Sequence, residues 1–199
     1  MSSTIVKPND TVQAQVEALT AVAKKLNSEG KEAQALEAYT IAAGLMLGAP
    51  WLQHRTAELA RKLKQPDVAA LHYRRAAAAF IRAGFPKRAL APLRTAWQVS
   101  VALLPADPSA FITITLELAN VQRELGFASD AKLSLANSNQ ALKAAGCTDR
   151  VPSGGEFELR KSAPPPNADG SQPPESGIKT SNSSPPGAVL SRLQGAVKP

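Results

Sequence analysis

An alanine and a tyrosine one helical turn apart, Ala35 and Tyr39, recur 34 residues later as Ala69 and Tyr73. A period of this length marks a supersecondary unit that cannot bury its apolar face alone and must stack on its neighbours. The stretch "YRRAAAAFIRAGFPKRAL", Tyr73 to Leu90, tightens the constraint. It reads as the end of one unit and, without a break, as the start of the next.

Apolar spacing of i, i+3, i+4 and i+7 places one face on each helix. Val12, Val16, Leu19, Ala23 and Leu26 predict a first helix stopped by Gly30, and Ala35, Tyr39, Ala42, Ala43 and Met46 a second that ends at Gly48 and Pro50. A third runs from Trp51 to Leu63. Pro66 then opens a fourth, at the first-turn position where proline's missing N–H has no helical partner to lose. That helix carries Ala69, Tyr73, Ala76, Ala77 and Phe80 and ends near Gly84. A fifth, from Pro86, carries Ala89, Leu93, Ala96, Trp97, Val101 and Leu104. Pro92 is awkward inside it, since an interior proline costs about 3 kcal/mol, and it predicts a bend or a true start near Ala91. Asp107 and Pro108 read as N-cap and first turn of a sixth helix that Gly126 breaks. A seventh, with Ala131, Leu135 and Leu142, ends at Gly146, and no strand pattern occurs.

These units resemble tetratricopeptide repeats. In the first, Ala23, Leu26, Gly30, Ala35, Tyr39 and Ala42 match the family's small, large, glycine, alanine, aromatic and alanine positions. The second has Ala57, Ala60, Ala69, Tyr73 and Ala76, with Lys64 where the family has glycine. A third unit, with Ala77, Phe80, Gly84, Ala89 and Leu93, sets its alanine only 20 residues after Ala69, so the fourth helix serves two units at once. A last unit holds Ala119, Gly126, Ala131 and Leu135. The resemblance spans Val16 to Ala145 and implies an all-α, right-handed solenoid of about seven helices. A plain bundle of alanine-rich amphipathic helices would share the all-α class without the stacking.

Composition divides the chain. Residues 1–10 are expected to be a flexible N-terminus and 11–147 the helical domain, while 148–199, rich in Pro, Ser and Gly, has too few apolar groups to offset its ordering entropy. Within that tail, 187–197 ("GAVLSRLQGAV") offers a short apolar helical motif. A single cysteine, Cys147, allows no internal disulfide, and no cationic-then-apolar leader or membrane-length apolar run is present. The expectation is a cytoplasmic protein without membrane insertion.

Charge is concentrated in the middle. Ten bases lie between Arg55 and Arg94 against Glu58 and Asp67, within a chain of net charge +7. Three basic pairs spaced i, i+7 (Arg55 with Lys62, Arg75 with Arg82, Lys87 with Arg94) each mark one stripe of a helix. The resemblance implies that Lys24, Asn27, Arg61, Lys62, Arg74, Arg82, Asn120 and Arg123 point into or along the concave groove; only Arg75, and loosely Arg55, fall near positions where some family members clamp a peptide carboxylate, so that activity does not carry over. Catalytic spacing is missing: His54 and His72 have no ligand partners nearby, Cys147 has no histidine close in sequence, and "PSGGE" lacks the spacing of a phosphate loop. The reading is a non-enzymatic scaffold or adaptor without cofactor or metal, which binds an extended or acidic protein segment through Lys24, Asn27, Arg55, Arg61, Lys62, Arg74, Arg75, Arg82 and Arg123. The alternative is a nucleic-acid-binding protein using the same surface, disfavoured because aromatics are only 5% of residues and supply no stacking platform.

Overall fold

The computed structural model describes residues 8–152, with side-chain environments from residue 11. The first seven residues and 153–199, including the 187–197 motif, lie outside the described residues. Among the described residues seven α-helices follow one another: α1 (Pro8–Ser28), α2 (Glu32–Leu45), α3 (Pro50–Lys62), α4 (Pro66–Arg82), α5 (Pro86–Ser100), α6 (Pro108–Glu124) and α7 (Ala128–Ala144). A 3₁₀ turn, Val101–Leu103, follows α5, and there is no strand among the described residues. None of the helices is long and apolar enough to cross a membrane.

Punctuation sets these ends. Pro50, Pro66, Pro86 and Pro108 each occupy the first turn of a helix, where their fixed φ suits the helix and their missing N–H costs no bond. Asp107 caps α6 by accepting from the Ala110 N–H at 3.0 Å. At the other end, α1, α3, α4, α6 and α7 all close in the same way. A residue in left-handed conformation follows each: Gly30, Lys64, Gly84, Gly126 and Gly146, with φ of 76°, 57°, 81°, 84° and 76°. The N–H of the next residue reaches back five positions, as from Gln65 to Ala60 O at 3.0 Å and from Phe127 to Gln122 O at 2.8 Å.

Lys64 performs a glycine's task with a Cβ. The left-handed conformation costs an L-residue about 1–2 kcal/mol, and glycine gives back about 0.5–1 of that in unfolded-state entropy. Lys64 is exposed, so its side chain contributes no buried packing there. Lys64→Gly is therefore expected to stabilise the fold by about 0.5–1 kcal/mol, read as a higher urea midpoint at unchanged slope. A lower midpoint would show that the lysine earns its place through a contact.

Packing runs mainly between chain neighbours, giving a repeat-like array. Helix α4 packs against both α3 and α5. Its Ala69, Ala70 and Tyr73 join a cluster with α1, α2 and α3, whereas Ala77 joins a second with Ala89, Leu93, Leu118 and Val121. Small side chains on both faces let two helices approach it. Trp97 contacts both clusters and a third around Phe111 and Leu142, and its Nε1–H donates to Ser138 Oγ at 2.7 Å.

Four boundaries differ from expectation, the first being that α5 ends at Ser100, so that Val101 lies in the 3₁₀ turn and Leu104 beyond it rather than in the helix. Residues 8–10, assigned to the flexible N-terminus, belong to α1. Helix α5 runs unbroken from Pro86 through Pro92 rather than starting near Ala91. Pro92 is buried beside Ala89, Leu93 and Ala96, and that burial offsets the lost bond. Finally, the domain does not stop at Cys147: Val151 is buried against the Phe111 and Leu142 cluster. Asn139 holds it at both backbone groups, accepting from its N–H at 2.8 Å and donating to its carbonyl at 3.3 Å.

Candidate functional site

Residues from three helices meet at an open groove of about 510 Å³. Asn27 comes from the last turn of α1, Tyr39 from α2, and Arg55, Glu58, Leu59, Arg61 and Lys62 from α3. The i, i+3 and i, i+7 spacing of Arg55, Glu58 and Lys62 aligns them on one side of α3. Leu52, Thr56, Ala57, Leu59 and Ala60 are buried on the other positions, which fixes that rotation.

Three cations and one carboxylate line the groove. Glu58 accepts a hydrogen bond from the Tyr73 hydroxyl, which holds its carboxyl below the usual range, and Arg61 at 3.3 Å adds to this. Lys62 pairs with Glu32 at the start of α2. Arg55 is exposed and forms no ion pair among the described residues. An incoming carboxylate would find Arg55 available, and could draw Arg61 and Lys62 from their present partners cheaply, since exposed pairs contribute only about 0–1 kcal/mol.

Of the residues expected to bind, Asn27, Arg55, Arg61 and Lys62 therefore meet here. The others do not. Lys24 and Arg123 are exposed on α1 and α6 and line neither this groove nor the next. Arg74 forms a two-pronged ion pair with Glu117 of α6, through Nε at 2.9 Å and through Nη2. It lines a second groove together with Arg75. Arg82 donates to the Leu47 carbonyl at 3.3 Å, and Arg94 approaches Asp130 at 4.0 Å. The three basic stripes thus do not line one cavity.

Tyr39, Glu58 and Leu59 were missed as lining residues. Glu58 carried a signal, being three residues from both Arg55 and Arg61, but Tyr39 reads as core in sequence and becomes lining only because α2 borders the opening.

No family model matches the chain, and no curated protein matches it. Among solved structures, the crystal structure of BtubC from P. vanneervenii is similar over 83% of this chain and 70% of that chain, at 12% identity and a TM-score of 0.37. A likeness that faint informs the reading of no residue.

Proposed function

We propose that this protein is a non-enzymatic, cytoplasmic adaptor of tetratricopeptide-like build, which binds an extended, acidic segment of another protein in the groove between α1 and α3. The observation that carries the reading is the meeting of Asn27, Arg55, Arg61 and Lys62 around one opening. Cations there outnumber carboxylates, and Asn27 adds a side-chain amide able to donate to and accept from a peptide backbone.

The test uses a short fluorescent peptide of alternating glutamate and serine. Reversing Arg55 and Lys62 together (Arg55→Glu, Lys62→Glu) is expected to weaken its binding about tenfold or more, with helical circular dichroism unchanged. Retained binding would overturn the assignment of the groove. Tighter binding of single-stranded RNA than of the peptide, falling steeply with log salt, would instead favour the nucleic-acid reading.

A further inference from the structure

A second groove of about 330 Å³ runs along α4. Leu71 and Ile81, large apolar side chains left 42% and 40% exposed, line it along with the small Ala77 and Ala78 and with Leu93 of α5. The Arg74–Glu117 ion pair ties one wall to α6. Arg75 lines the groove without an ion pair among the described residues, and Arg82, seven residues on along the same stripe of α4, lies beyond the lining, exposed and donating to the Leu47 carbonyl at 3.3 Å with no ion pair among the described residues.

We propose that this groove docks the apolar face of a short, acidic amphipathic segment of a partner protein, with aliphatic side chains against Leu71 and Ile81 and carboxylates toward Arg75 and Arg82. The inference rests on the adaptor reading and names a second contact for the same class of partner.

Charge selects this occupant. The chain's own apolar segment at 187–197 carries Arg192 and no acid, so it meets Arg75 and Arg82 with like charge. A second copy fares no better, because it brings another net +7 to a groove in which Glu117 is already paired with Arg74 and Arg75 forms no ion pair among the described residues. An acidic segment is attracted by the same cations, while its aliphatic groups cover the exposed Leu71 and Ile81.

The test is a resonance-by-resonance titration of the isotope-labelled full chain with three short probe peptides: glutamate–leucine, glutamate–serine of equal charge, and lysine–leucine. The glutamate–leucine peptide is expected to shift the amides of Leu71, Ala78 and Ile81 and to bind about tenfold tighter than glutamate–serine. Ile81→Ser should abolish that gain while leaving glutamate–serine binding at Arg55 unchanged. Equal affinity of the two acidic peptides, or shifts confined to Asn27, Arg55 and Lys62, would overturn the α4 groove and leave the adaptor reading standing. Equally tight binding of lysine–leucine would overturn it as well, by removing the role of charge. Shifts at Leu71 and Ile81 without any response of the Arg55 groove to glutamate–serine would support the α4 groove and sink the α1–α3 site instead.

Discussion

Replacing Tyr73 by alanine is expected to cost about 4 kcal/mol, within the range of about 3–5 for emptying a buried aromatic site. Tyr73 is fully buried in α4, its ring edge-on to His54 of α3 at 5.5 Å between centroids, and its hydroxyl bonded to Glu58. The substitution removes the ring and also strips the Glu58 carboxylate of one donor, leaving Arg61. Tyr73→Phe separates the two effects, since it deletes only the bond and should cost about 1–2 kcal/mol. Tyr39→Ala should cost less than Tyr73→Ala although Tyr39 is only 2% exposed. Tyr39 borders the open groove, so water can enter the space it leaves, whereas Tyr73 is fully buried and does not line the groove. Urea unfolding followed by helical circular dichroism measures all three. Equal, small losses at both tyrosines would show that the 34-residue echo has no structural weight.

Lowering the pH from 7 to 5 is expected to remove about 1–2 kcal/mol of stability through His72 alone, after allowance for solvent screening. Gln53 donates to the Ala43 carbonyl at 2.7 Å, so its Oε1 is left to accept from His72 Nδ1–H at 2.8 Å. The bond fixes the imidazole in its Nδ1–H tautomer and joins α3 to α4. Burial, helped by the positive charge of Arg75, lowers its pKa from 6.5 to about 4. The unfolded chain binds that proton at higher pH than the folded one does. The contribution is therefore fully present above pH 6.5 and is lost as pH falls toward 4. Thermal midpoints across this window check it, with His72→Gln as the comparison. A flat midpoint in the native chain, or the same slope in His72→Gln, would show that His72 does not carry the effect.

The all-helical class and the breaks between helices were legible because they depend on local backbone sterics. Proline in a first turn and glycine at a left-handed helix end act through φ alone, whatever packs nearby. Lys64 shows where this ends. Its residue type gives no sign of the conformation, which only its place in the repeat, where the resemblance has glycine, points to, yet the turn from α3 to α4 imposes it. Pro92 is the opposite case, since its local cost forecast a bend or a start near Ala91, and α5 starts at Pro86 with Pro92 buried inside it. The candidate site was legible only in part. The cations were evident as a run, but their grouping was not, because it depends on which partner each one finds.

By itself the sequence determined the order of the helices among the described residues, most of their stops, the 34-residue echo and the basic middle of the chain. Each of these is a property of spacing or of single-residue backbone preference. Only the tertiary structure decided that Tyr73 meets Glu58, 15 residues away, that Arg74 is taken up by Glu117, 43 residues away, and that Arg55 is left available beside Asn27. It also decided that Val151 is clasped by Asn139. Such pairings depend on how each helix is rotated about its axis when its apolar face is buried. That rotation is set by the fit between neighbouring helices, which no spacing within a single helix encodes.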